Sequence, residues 1–197
     1  SNGYAKITGF TSVTVVDATV RDDFDNTSSV TDWKLGAFSD TTGHPSAVSF
    51  FEQRLVFAGT DTEPQTLFFS KSGDYENMTT GTNADDAMVY TIASNQVNRI
   101  RYLKSVRTLI VGTTGGEFTV SADGTNAAVT PTNVTIKKQS SYGTANVDAI
   151  TAGNATLFLQ KAKRKIRELQ YNFDSDGYIA PDSVSYTHLR AHETVRN

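Results

Sequence analysis

Two imidazoles, His188 and His192, stand four residues apart with Glu193 beside the second. On a helix that spacing places both rings on one face, an arrangement suited to zinc. Asp174-Ser175-Asp176-Gly177 resembles the opening of a calcium loop, although the third acidic ligand and the closing glutamate are missing. Gly112-Thr113-Thr114-Gly115-Gly116 is rich in glycine but lacks the Lys-Ser or Lys-Thr and the following helix of a phosphate cradle. Asp22, Asp23 and Asp25, or Asp85 and Asp86, would supply paired carboxylates for glycoside hydrolysis if one of them were held in an apolar pocket. Lys161, Lys163, Arg164, Lys165 and Arg167 would meet a phosphate backbone, yet no aromatic side chains interleave them for base stacking. Trp33, Tyr75 and Tyr142 offer rings that could stack on sugars.

A simpler structural role competes with each of these. Adjacent glycines between apolar strands supply the positive φ of a primed hairpin turn, so Gly115-Gly116 is expected to close one. Neighbouring acids are more often solvated loop residues than catalytic pairs, and the basic run is expected to be a solvated hairpin tip. His44, ahead of Pro45, is expected to pack or hydrogen-bond in a turn. Val184 to Thr194, VSYTHLRAHET, resembles a peptide that recurs at the ends of unrelated metagenomic reading frames, where it looks like translated sequencing-adapter DNA. Residues 183–197 are therefore expected to be foreign to the evolved protein, which removes His188 and His192 from the argument. The sequence assigns no catalytic, cofactor-binding or metal-ligating residue, and no cofactor is expected.

The elements that would position any site are strands. Leu55-Val56-Phe57-Ala58-Gly59, Leu109-Ile110-Val111-Gly112 and Leu157-Phe158-Leu159 repeat one apolar signature, at a period of roughly 50 residues that suits the blades of a β-propeller. Around them, Ala47 to Phe51, Thr66 to Phe69, Ala87 to Ala93, Ile100 to Leu103 and Phe118 to Val120 read as further strands. Tyr4 to Val20 reads as two short strands with Gly9 at a turn. From Ala162 to Phe173 the apolar residues fit both a helical and a strand period. The repeat favours a hairpin there, Thr156 to Gln160 with Lys165 to Tyr171. The expected inward-facing positions are Leu55, Phe57, Leu109, Val111, Leu157 and Leu159.

Composition narrows the partners. The net charge is −3, without the basic excess usual in proteins that bind nucleic acid or anionic membranes. The chain has no cysteine, which excludes disulfides, thiolate metal sites and a cysteine nucleophile. No apolar run approaches the ~20 residues that span a bilayer as a helix. The chain opens at Ser1 without an initiator Met and is expected to be a fragment or a processed or recombinant form.

Three stretches carry a family resemblance: His44 to Tyr75, Tyr90 to Val120 and Thr130 to Tyr178. With motifs such as EQRLVFAG, TLIVGTTGGEF and KIRELQYNFDSDGY, the region from about 33 to 182 resembles the tail tubular protein B, or nozzle, family of short-tailed bacteriophages. Matching positions include Glu52, Gln53, Arg54, Gly59, Gln65, Gly73, Asn98, Arg101, Gly112, Gly115, Gly116, Glu117, Ser140, Gly143, Lys165 and Arg167. The resemblance implies turn, packing and subunit-contact roles for them, not catalysis. Tyr4 to Val20 resembles a small β module shared among phage proteins. Some of those carry the name of a ubiquitin-activating enzyme, whose thioester chemistry a chain without cysteine cannot perform.

The expected fold is all-β: incomplete β-propeller-like blades of antiparallel hairpins with a small N-terminal β module. Residues 1–36 would form that module and its loop, 37–182 about three blades, and 183–197 the foreign tail. The resemblance implies a virion structural protein, not an enzyme. As a ring-forming tail tube or nozzle subunit, it would help build the DNA-ejection channel. Its partners would be copies of itself, other tail proteins and DNA passing without sequence preference, with no membrane. It would reside in the virion tail after assembly in the host bacterial cytoplasm. The alternative is a carbohydrate-binding or glycan-cleaving tail module on the same scaffold.

Overall fold

The computed structural model describes residues 3–24, 26, 28–29, 31, 36–94, 97–124, 127–174 and 177–185. Fifteen strands and no helix occur among them, and the chain divides into two compact units, Ser1–Ala37 and Phe38–Asn197. The first unit holds one antiparallel hairpin, β1 (Tyr4–Ser12) and β2 (Val15–Asp22). Its turn falls at Val13-Thr14, not at Gly9, which sits inside β1 at a register shift opposite Asp17. A Cβ there would lie 2.9 Å from an Asp17 carboxylate oxygen, so the glycine admits that side chain across the pair.

The second unit is three sheets, each an antiparallel meander in chain order. Blade I is β3 (Ala47–Phe51), β4 (Arg54–Ala58), β5 (Thr66–Phe69) and β6 (Met88–Thr91). Blade II is β7 (Ile100–Ser105), β8 (Leu109–Thr113), β9 (Gly116–Ser121) and β10 (Thr135–Ser140). Blade III is β11 (Ile150–Ala152), β12 (Ala155–Leu159), β13 (Lys165–Asn172) and β14 (Gly177–Ile179), with β15 (Asp182–Ser185) also paired to β13. The ambiguous segment is a strand, with Thr156 opposite Leu169. Residues 183–185 continue β15 along β13, while 186–197, including His188, His192 and Glu193, lie outside the described residues.

Two cores separate the blades, and strand alternation decides which residues enter each. On β8, Leu109 and Val111 join Val56, Ala58, Leu67, Phe69 and Met88 of blade I. Ile110, between them, faces the other way and joins Phe158 and Leu169 of blade III. The middle blade is thus covered on both faces, and all five residues of β8 are buried. Blades I and III have one covered face each, which shifts two expectations. Val56 and Ala58 enter the core while Leu55 and Phe57 take the opposite face, and Phe158 is buried while Leu157 and Leu159 stay half-buried.

Candidate functional site

The glycine-rich segment forms the β8–β9 turn, with Thr113 paired to Gly116 across Thr114-Gly115. Neither central residue takes a positive φ and Gly116 is close to extended at φ 159°, so a primed turn does not explain the glycines. Close approach does. A Cβ on Gly115 would lie 2.1 Å from Asn98 Oδ1, and one on Gly116 would lie 2.5 Å from the Ser140 carbonyl oxygen. A left-handed hairpin turn built from two non-glycine residues is Glu52-Gln53 between β3 and β4, at φ 46° and 61°. Non-glycine residues pay about 1–2 kcal/mol each for that conformation, and contacts on both sides hold it. Val129 N donates to Glu52 Oε2 at 2.6 Å, and Gly73 N donates to the Gln53 carbonyl at 2.9 Å.

The other candidates scatter. Asp22 is exposed on β2 and Asp23 follows it, while Asp25 lies outside the described residues. Asp86 accepts from Asn83 N at 2.9 Å and Asp85 pairs with Lys71 at 3.4 Å, so both acids serve their own loop. Asp174 is exposed; Ser175 and Asp176 lie outside the described residues, as does Trp33. His44 hydrogen-bonds Asp40 at 3.3 Å within its turn. Lys161, Lys163 and Arg164 are exposed at the β12–β13 tip, Lys165 pairs with Asp182 at 2.7 Å, and Arg167 turns inward. Among the described residues no group of three or more His, Cys, Asp or Glu converges as a metal site would require.

Buried polar groups do converge, at positions that strand alternation alone does not single out. Arg54 opens β4 and is fully enclosed. Its guanidinium donates to the carbonyls of Ser70 (2.8 Å), Asp86 (2.7 Å), Asp85 (3.3 Å) and Ala84 (2.6 Å), tying the long β5–β6 connection to the blade. Burial lowers its pKa, opposed by the nearby carboxylates of Asp85, Glu52 and Asp86. Four carbonyls leave that cation little capacity to bind anything else.

The densest cluster lies between blades II and III. Tyr102, Gly112, Glu117 and Ser140 are successive partners across β7, β8, β9 and β10 and so share one face. The Tyr102 ring lies over Gly112, where a Cβ would come within 2.0 Å of its Cε1. Only glycine lets the ring cross β8. Ser140 donates its hydroxyl to Glu117 Oε2. Burial raises the Glu117 pKa, against the opposing pull of that hydroxyl, the amides of Tyr142 and Gly143, and the Arg167 charge. Burial, with the Glu117 and Asp148 charges, lifts the Tyr102 phenol well above its ordinary range. From blade III, Arg167 stacks 3.4 Å over the Tyr142 ring and donates to Gln160 Oε1 and the Ala180 carbonyl. Tyr102 Oη and Thr156 Oγ1 are buried without a protein hydrogen-bond partner.

A separate open cleft of about 310 Å³ runs beside β3 and β7, lined by Ser46, Val48, Arg101, Tyr102, Asn146 and Asp148 among others. Its charges are already engaged, Arg101 with Asn146 Oδ1 at 3.0 Å and Asp148 with Lys104 at 2.7 Å. One signal in the sequence would have found the buried row: an aromatic paired with a glycine on the neighbouring strand, followed by an acid on the same face. No protein-family model matches the chain, and comparison with curated proteins gives no match either.

Proposed function

We propose that this chain is a structural subunit of a phage tail, a ring-forming tube or nozzle component that helps line the DNA-ejection channel. The observation that carries the reading is a coincidence of position. The residues on which the family resemblance rests, Glu52, Gln53, Arg54, Gly115, Glu117, Ser140, Gly143 and Arg167, fall at the tight turns and blade contacts described above. Side chains committed to joining sheets suit a scaffold that bears load and need not turn over substrate. In this reading the protein is no enzyme and needs no cofactor. It associates with its own copies and other tail proteins, lets DNA pass without sequence preference, and resides in the virion after assembly in the host cytoplasm. The mildly acidic charge of −3 suits a conduit that must not retain DNA.

The genes flanking this one test the reading directly. Portal, capsid and tail genes are expected beside it, and their absence would sink it. Immunogold labelling of purified particles gives the second arm, with label expected at the distal tail. A glycan-binding tail module is the competing reading, favoured by the exposure of Tyr75 between Asp74 and Glu76. Glycan-array binding lost on Tyr75→Ala would establish that reading instead.

A further inference from the structure

The polar row across blade II holds two enclosed atoms that belong together and make no bond. Tyr102 on β7 and Glu117 on β9 flank Gly112 of β8 as cross-strand partners on one face. Both residues are buried, at 1% and 0% exposure. Tyr102 Oη and Glu117 Oε1 are each shut off from solvent, and neither has a protein hydrogen-bond partner. Buried polar atoms are hydrogen-bonded in the large majority of cases, so two without partners in one row point to a shared one.

The row leaves room for something small between them. Residues two strands apart stand roughly 9.5 Å from each other. The Tyr102 ring spans part of that distance, with Cδ1, Cε1 and Cζ lying against the Gly112 position, so its hydroxyl is carried beyond the glycine. The Glu117 charge acts on the phenol there. Glu117 itself leans the other way, because its Oε2 accepts from Ser140 on β10. Oε1 is therefore the oxygen left to meet the phenol, across a gap that no direct bond closes. We propose that one water molecule is enclosed between blades II and III, accepting from Tyr102 Oη and donating to Glu117 Oε1. Enclosed waters make two to four such bonds at polar sites. An anion is opposed by the Glu117 carboxylate. A cation is opposed by the Arg167 charge that acts on the same carboxyl, and no group of three or more His, Cys, Asp or Glu converges among the described residues. The water completes a chain of hydrogen bonds over all four strands of blade II, from Tyr102 through Glu117 to Ser140. Through it the Tyr102 hydroxyl is a positioning group for Glu117, whose carboxyl also holds the amides of Tyr142 and Gly143 where the chain crosses to blade III. The site is independent of the tail reading.

A crystal structure of the chain at a resolution that shows ordered water, paired with a carbon-13 NMR titration of the Glu117 carboxyl, is the test. Density for a water within hydrogen-bonding distance of both Tyr102 Oη and Glu117 Oε1 is expected. Tyr102→Phe keeps the ring over Gly112 and removes the hydroxyl that holds the water. It should fold with unchanged far-UV circular dichroism and shift the Glu117 titration midpoint upward, because the carboxylate loses a donor. Tyr102 Oη bonded directly to Glu117 or to another protein atom, with no water between, overturns the proposal. So does a peak with the ligand distances of a metal ion, and so does a Glu117 midpoint that stays or falls in folded Tyr102→Phe. Should that variant fail to fold, the wild-type density decides alone.

Discussion

The seams on either side of blade II have the same strand geometry and opposite chemistry. Toward blade I, β8 contributes Leu109 and Val111 to a core of aliphatic and aromatic groups in which every named residue is buried. Toward blade III, the row Tyr102–Gly112–Glu117–Ser140 meets Arg167, Thr156 and Phe158. Blade packing constrains register and spacing, and either oil or a hydrogen-bonded network can fill the gap it leaves. The apolar seam gains from area removed from water and is indifferent to pH. The polar seam encloses the Glu117 carboxyl beside the Arg167 guanidinium, so its strength depends on whether the carboxyl is ionised.

Truncation in the apolar seam should have the largest effect. Leu109→Ala removes a fully buried side chain between two sheets and is expected to cost about 3–5 kcal/mol, read as a drop in the urea midpoint. Arg167→Ala in the polar seam should cost less, about 2–3 kcal/mol, because it removes the hydrogen bonds to Gln160 and Ala180 while Tyr142 gains access to solvent. If the arginine variant proved the more damaging, the polar seam and not the apolar one would dominate stability. Leu55→Ala, a half-buried residue on the open face of blade I, should cost well under half as much as Leu109→Ala.

The contrast sharpens with pH. Burial raises the Glu117 pKa above its ordinary value of 4.5, so the folded protein holds this proton more tightly than the unfolded chain does. Its contribution is therefore fully present below about pH 4.5 and lost as pH rises through the higher folded value. Glu117→Gln keeps the shape and the acceptor for Ser140 and removes the charge. The variant should melt higher than wild type near pH 7, and the difference should shrink on acidification toward pH 4.5. A lower melting temperature at pH 7 would mean that the Arg167 charge outweighs burial.

Strand order and the number of blades were legible because alternation and the repeated Leu signature report local geometry. The alternation places Thr66–Phe69 at its observed ends, and the repeat selects a strand from Lys165, which runs to Asn172, where periodicity alone is ambiguous. Which face of each strand is covered was not legible. That depends on having neighbours, and only blade II has two, so Leu109 and Val111 met the expectation while Leu55, Phe57, Leu157 and Leu159 did not. The glycine turn lies where the sequence places it but for a different reason, since the crowding by Asn98 and Ser140 comes from residues distant in sequence. Arg54, Glu117 and Arg167 matched the family resemblance as positions. Their burial stayed invisible because a charged residue in a strand is ordinarily read as facing water.

The smallest expected effect isolates the orphaned hydroxyls. Thr156 is fully buried on the face of β12 that meets blade II, and its Oγ1 has no protein hydrogen-bond partner. Valine has nearly the same shape, keeps the β-branch that strands favour, and replaces the hydroxyl with a methyl group that gains from the same enclosure. An enclosed hydroxyl without a partner carries a desolvation cost that valine does not. Thr156→Val should therefore raise stability by about 1 kcal/mol, whereas the same exchange at Thr66, whose hydroxyl bonds Thr91 at 2.9 Å in blade I, should lower it. Equal losses at both positions would show that Thr156 hydrogen-bonds in solution. The desolvation cost of the polar seam would then rest on Tyr102 Oη and Glu117 Oε1, its remaining buried polar atoms without a protein partner.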